Sequence, residues 1–266
     1  TNVKLQTDNF PIETQTYLKQ GVQEDFILTK TGNDNRKDFV SANLNYNKKV
    51  LSTGNLFTGL QYSSFVQKLN TSISNNYDNA GFVNSQDRKQ EYRINVLAYR
   101  FDFEKSFENQ LKWEIGSNIS TAKANALTEI LFFEPDGETT INYDYSETNL
   151  AGYSQISGNL SEKVNFSTGF RIESNKVRGK AQTDDIPLVN RENTNFFPKA
   201  MLNIEIDSTK NLTFNYGKSI VRPDYSRASS ISAFINPFLE GSGNVNLLPT
   251  ITEELTANFQ LKNNSL

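Results

Sequence analysis

Apolar and polar residues alternate with a period of two along most of the chain, and each such run reads as a strand with one apolar and one wet face. Val40, Ala42, Leu44 and Tyr46 fall on one side of the first clear run, with Ser41, Asn43 and Asn45 on the other. Leu56, Leu60, Tyr62 and Val66 repeat the pattern, as do Leu111, Trp113, Ile115 and Ile119 against Lys112, Glu114, Gly116, Asn118 and Ser120. Val164, Phe166, Phe170 and Ile172 oppose Asn165, Ser167, Gly169, Arg171 and Glu173, and Ala200, Leu202, Ile204 and Ile206 oppose Lys199, Asn203 and Glu205. The final run sets Ile251, Leu255, Ala257, Phe259 and Leu261 against Thr252, Glu254, Thr256, Asn258, Gln260 and Lys262. In all, about nine or ten strands of roughly 10–14 residues are predicted, the length that crosses a bilayer at a tilt.

One run changes phase. Tyr92, Ile94, Val96 and Ala98 occupy even positions, whereas Tyr99, Phe101 and Phe103 continue on odd ones, and a β-bulge near Leu97 would restore a single apolar face. Before Arg36, Leu18, Val22, Phe26 and Leu28 fit a long strand or a helix, and strand is the reading adopted. Connections alternate in length. Short polar turns fall near Asn47 to Thr53, Glu104 to Gln110, Leu160 to Val164 and Asp207 to Asn211. Long polar loops are predicted from Asn70 to Gln90, Ala124 to Thr148, Lys176 to Thr194 and Pro223 to Leu248. Transmembrane barrels have this asymmetry, with short turns in the periplasm and long loops outside. Aromatic residues gather beside the short turns (Tyr46, Phe57, Phe101, Phe103, Trp113, Phe166 and Phe214), where an interfacial girdle belongs.

Composition sharpens this picture. Only 36% of residues are hydrophobic, an average that a soluble protein and a barrel with a hydrated bore share, because half of each spanning strand of a barrel is polar by construction. Ile130-Leu131-Phe132-Phe133 is among the longest apolar runs, far short of the ~20 residues a membrane helix needs. The net charge of −3 with scattered basic residues gives no electrostatic footprint for nucleic acid. There is no Cys and no His, which removes thiolate nucleophiles, imidazole bases and most zinc or iron sites. No catalytic residue, metal site or cofactor is predicted. The sequence begins at Thr1 without a basic n-region or apolar h-region, so a signal peptide, like any plug domain, is expected outside residues 1–266, which are taken as one barrel region.

Two acidic clusters, Glu134-Pro135-Asp136-Gly137-Glu138 and Thr183-Asp184-Asp185, read as solvated turns rather than calcium or acid/base sites. Gly32-Asn33-Asp34-Asn35 lacks the ligand spacing of an EF-hand loop and also reads as a turn.

More specific marks lie late in the chain. Tyr216-Gly217-Lys218-Ser219-Ile220-Val221-Arg222-Pro223-Asp224-Tyr225 is followed by Asn236-Pro237-Phe238-Leu239 and then by Gly243-Asn244-Val245-Asn246-Leu247-Leu248-Pro249-Thr250. In this order, ahead of an alternating strand, these segments resemble the later barrel of TonB-dependent receptors and the related outer-membrane β-barrel subfamily, over about residues 149–262. The third segment departs from the family's Gly-Asn-Pro-Asn-Leu-Lys-Pro-Glu loop at Val245, Leu248 and Thr250. Pro223, Pro249, Gly243 and Asn244 suit strand ends and turns whatever else they do.

The resemblance implies an all-β, antiparallel, up-and-down transmembrane barrel in a bacterial outer membrane, this chain being a segment of a barrel of about 22 strands. It implies uptake of a scarce nutrient such as a siderophore or glycan, a plug domain, and coupling to an inner-membrane energy-coupling protein through a segment outside this chain. Arg222, Tyr225, Asn236, Asn244 and Asn246 are the outer-loop ligand candidates. Two other readings remain: a non-transporting scaffold in a surface lipoprotein, secretion or assembly complex, and a soluble β-rich binding protein. Physics favours the segment, since an unpaired strand edge in hydrocarbon leaves backbone groups unsatisfied and membrane sheets must close.

Overall fold

The structure, a computed structural model, describes residues 2–20, 23–77, 82–108, 110–133, 136–181, 189–224, 232–236, 238–244 and 246–261. Twelve strands follow in order: β1 Asn2–Gln20, β2 Gln23–Val50, β3 Gly54–Tyr77, β4 Phe82–Ser106, β5 Lys112–Phe133, β6 Asp136–Ser161, β7 Val164–Ala181, β8 Val189–Asp207, β9 Lys210–Val221, β10 Ser232–Asn236, β11 Leu239–Ser242 and β12 Thr250–Leu261. Ten of them form one antiparallel sheet in which each strand pairs with its sequence neighbour, from β1 to β9 and then β12. The sheet is open: β1 and β12 each pair on one side only. β10 and β11 make a separate hairpin.

The alternation predicted from sequence places the apolar residues on one outward face. Leu44, Leu60, Tyr99, Ile119, Leu150, Phe170, Ile172, Leu255 and Phe259 are exposed there, with no second layer against them. Trp113, Val164, Leu202 and Ile204 are half-buried rather than packed between two sheets. A soluble sandwich would bury these residues, whereas a lipid-facing wall leaves them outside. The opposite face carries Asn43, Asn45, Gln61, Arg100, Asp102, Glu114, Tyr153, Arg171 and Asn203. A single layer can bury side chains only on a face around which it curls, and the buried cluster of Tyr92, Ile94, Ala124, Ala126, Tyr143, Val177 and Val189 lies wholly on that inner face.

Register gives the tilt. Gly54, the first residue of β3, lies in line through Lys105, Trp113, Ile156, Thr168 and Ala200 with Tyr216, six residues beyond Lys210 at the start of β9. With the short turns taken as one level, six strand spacings of about 4.8 Å against six residues of about 3.3 Å give a tilt of roughly 35°, within the range of transmembrane barrels.

The four short turns fall where the sequence predicts them, and Leu51, Ser52 and Gln110 adopt left-handed backbone there, with φ of 54°, 53° and 61°. The long connections differ from expectation. The described residues of segments 70–90, 124–148 and 176–194 are strand, so β2 to β6 reach 22–28 residues instead of the 10–14 predicted. Period two persists through them with the faces exchanged in character: Thr71, Ile73 and Asn75 turn inward and are buried, while Ser72, Ser74 and Asn76 face out and are exposed. At the tilt above, β3 rises on the order of 65 Å, so more than half of it stands clear of an apolar band ~25 Å tall.

The same exchange explains the phase change in β4. No bulge occurs at Leu97, for pairing is unbroken from Gln61↔Ala98 through Tyr62↔Leu97 to Ser63↔Val96. Tyr92, Ile94 and Val96 face the extracellular core, and Tyr99, Phe101 and Phe103 face lipid, so two apolar faces succeed one another on a regular strand. Residues 32–35 are not a turn but mid-strand in β2, opposite Pro11 to Asp8, held by Asn33 Nδ2 donating to the Phe10 carbonyl (3.2 Å) and Gln67 Nε2 to Asn35 Oδ1 (2.9 Å). The region before Arg36 is a hairpin of two strands, and Val22 lies outside the described residues. Within the proposed girdle, Phe57 faces the bore instead, with the Arg100 guanidinium 5.7 Å from its ring centroid. Phe103 and Trp113 do meet edge-on on the outer face, 6.4 Å apart.

Candidate functional site: the inner wall and its strap

The inner wall is polar at two levels. Near the short turns, Tyr153 donates to Asp102 (2.6 Å) across Gly116, Arg100 donates to the same carboxylate (2.5 Å), and Lys112 bridges Glu104 (2.9 Å) and Glu114 (3.3 Å). Arg100, Asp102, Glu104, Glu114 and Tyr153 border a recess of about 300 Å³. Asp102, Gly116 and Tyr153 share one row of the sheet, which is why the phenol can lie over a residue that has no Cβ.

Higher up, Arg222 leaves the end of β9 and reaches across β8 to two carboxylates. It pairs with Glu147 of β6 (3.6 Å) and lies in direct ion-pair contact with Glu173 of β7, which Arg171 also contacts. Glu173 is fully buried and Glu147 nearly so. Glu147 accepts from Asn175 (2.6 Å), Asn149 (3.0 Å) and Tyr145 (3.1 Å). Two arginines thus balance two glutamates, as burial of charge requires.

The described residues between Arg222 and β12 form a strap over this wall. Its β10–β11 hairpin folds inward, so that Glu240 pairs with the buried Arg88 of β4 (2.6 Å) while the Arg88 guanidinium lies 4.9 Å from the centre of the Phe234 ring. Thr14 of β1 donates to the Ile235 carbonyl (3.3 Å). On the return towards β12, Arg191 of β8 donates to the carbonyls of Asn246 (3.4 Å) and Leu247 (3.0 Å). The strap therefore joins β8 and β9 to β1 and β4 across the inner face.

Of the residues nominated from sequence, Arg222 occupies the charged network. Asn236 and Asn244 spend their side-chain oxygens on local turns, accepting from the amides of Phe238 and Asn246 (2.9 Å each). Asn246 contributes its carbonyl to the anchor with Arg191, and Tyr225 lies outside the described residues, as do residues 183–185 and 134–135 of the acidic clusters. Glu147, Glu173, Arg171, Arg88 and Glu240 were not nominated. Glu173 sits among the polar residues of an alternating run, but only the register shows that Arg222 reaches it. Among the described residues no group of three His, Cys, Asp or Glu could hold a metal ion.

A single tilted sheet with lipid-facing apolar residues, a charged bore and an inward strap defines a wall of an outer-membrane β-barrel. Residues 70–266 match the outer membrane protein beta-barrel family, and the chain belongs to it. It resides in the bacterial outer membrane. No curated protein matches its sequence. Among solved structures it resembles the copper transporter OprC (TM-score 0.52, 10% identity, covering 98% of this chain and 51% of that one). It also resembles BauA, the ferric preacinetobactin receptor of Acinetobacter baumannii (0.51, 10% identity, 84% and 41%). A third is the ferric-catecholate import receptor Fiu of E. coli K12 (0.51, 8% identity, 81% and 47%). At these identities the likeness is one of fold, and this chain spans about half the length of each.

Proposed function

We propose that the chain forms about half the wall of a nutrient-uptake receptor, a barrel of about 22 strands that encloses a plug and is driven by an inner-membrane energy-coupling protein. The observation that carries this reading is the strap, which crosses the inner wall and is held there by Arg88, Arg191 and Arg222, so that whatever enters the bore must pass it. A polar inner wall suits a hydrated, plugged lumen, and an extracellular strap over it suits capture before transport. The ligand fits the class of hydrogen-bonding solutes, such as an iron chelate or a glycan, for which Asn244 and Asn246 are the exposed candidates on the strap.

Deleting the complete gene and measuring uptake of a panel of labelled siderophores, metal ions and oligosaccharides tests this. At least one uptake should fall to background and fall equally when the energy-coupling protein is deleted. Uptake that is unchanged in both strains would remove the transport reading.

A further inference from the structure

The outer face of the extracellular extension carries a basic hollow that the inner wall does not use. On this face Tyr99, Ile119 and Leu150 form an apolar row, and Leu97, Thr121 and Thr148 form the next. One step higher the row reads Asn95, Lys123, Ser146, Arg178 and Asn190 across β4 to β8. Above it stand Arg93, Asn125, Asp144 and Lys180. These two rows line a hollow of about 630 Å³. They begin on the order of 10 Å above the Tyr99 row and about 5 Å above the Leu97 row at the strand rise and tilt given above, which is headgroup depth.

Its charge is mainly basic. Arg93 is paired with Glu91 (2.8 Å), and Asp144 accepts from Asn125 (2.8 Å). Among the described residues no carboxylate lies within ion-pair distance of Lys123, Arg178 or Lys180. Among the described residues Lys123, Arg178 and Lys180 therefore outnumber Asp144, the one carboxylate lining the hollow, on the side of the wall that faces the outer leaflet. Two of them lie in one row two strands apart, about 10 Å between Cα atoms, a gap that long side chains close around a phosphate. The neutral Asn95, Ser146 and Asn190 offer partners to sugar hydroxyls beside it.

We infer that this hollow binds the phosphorylated sugar headgroup of the anionic glycolipid of the outer leaflet, with Lys123, Arg178 and Lys180 on the phosphate. Clustered Lys and Arg beside an apolar belt recognise anionic lipid, and their aliphatic stems cover the apolar edge. The inference rests on the outer-membrane location and not on transport.

The test is native mass spectrometry of the complete detergent-solubilised protein, titrated with a diphosphorylated acyl-disaccharide of the lipid A class, its dephosphorylated form, and inorganic phosphate. The diphosphorylated lipid should bind, and K123Q/R178Q/K180Q should weaken it roughly 100-fold, about fivefold per cation. K48Q/K163Q, at the opposite end of the strands, should leave binding unchanged, and K123R/R178K/K180R should largely retain it. Equal binding of the dephosphorylated lipid to the unaltered protein would overturn the inference without recourse to any variant. So would undiminished binding by the glutamine variant, or inorganic phosphate competing at the concentration of the lipid.

Discussion

Gly116 shows how closely the inner wall is fitted. A Cβ at this position would lie 2.5 Å from Tyr153 Cε1, 2.6 Å from Asp102 Oδ1 and 2.7 Å from the Phe101 carbonyl oxygen. The carbonyl belongs to the ladder and cannot withdraw, so in Gly116→Ala the phenol and carboxylate must move by about an ångström, enough to break their 2.6 Å hydrogen bond. Loss of a hydrogen bond to a charged acceptor costs roughly 1.5–3 kcal/mol and overpacking about 1–3 kcal/mol, so a destabilisation of roughly 2.5–6 kcal/mol is expected. Reversible urea unfolding of the complete protein in lipid, followed by heat-modifiable electrophoretic mobility, measures it. In a Tyr153→Ala background the same substitution should cost clearly less, because the ring it displaces and the hydrogen bond it breaks are gone while the contact with the Phe101 carbonyl remains. If Gly116→Ala stays within about 0.5 kcal/mol of the parent, or if the two changes simply add, the account of this row is wrong.

Two further outcomes follow from other parts of the wall. Glu173→Gln leaves Arg171 and Arg222 without their shared buried partner. It should destabilise by about 2–4 kcal/mol and, like Arg88→Ala, should open the strap to limited proteolysis within residues 223–248, where an unchanged digestion pattern would count against the anchoring described. Burial pushes the Tyr92 phenol up to about 12, so the folded state favours its protonated form. Its contribution to stability is complete below pH ~10 and is lost as pH rises through about 12. Absorbance at 295 nm should record phenolate appearing near pH 12 that falls by one tyrosine in Tyr92→Phe, and complete titration of all phenols by pH 11 would contradict it.

The spanning half of each strand was legible in the sequence because lipid on one side and water on the other impose a strict period of two, as in Leu111 to Ile119 or Val164 to Ile172. The extracellular half was not. There water bathes the outer face, the inner face buries small and polar residues such as Thr71, Ala122 and Thr128, and a strand acquires the composition of a loop. Asn33 and Asp34 carried turn propensity that neighbouring strands overrode through cross-strand hydrogen bonds. For the candidate site, the Arg-Pro element marked Arg222, but its partners lie 49 and 75 residues earlier, at Glu173 and Glu147, and no local pattern connects positions so far apart. Asn236 and Asn244 stood out for the residue preferences of turns, which is the work they do.

The strap also bears on how such a protein is assembled. The hydrogen bond from Thr14 to Ile235 joins positions 221 residues apart, and the Arg88 to Glu240 pair joins positions 152 apart. Neither contact can form until the intervening strands have zipped in order, so seating of the hairpin is a terminal step of maturation, set by long loop closure rather than by local propensity. An immature wall would present an unobstructed mouth, and the arrival of Phe234 and Glu240 on β4 marks the moment at which β4 to β9 have found their final order.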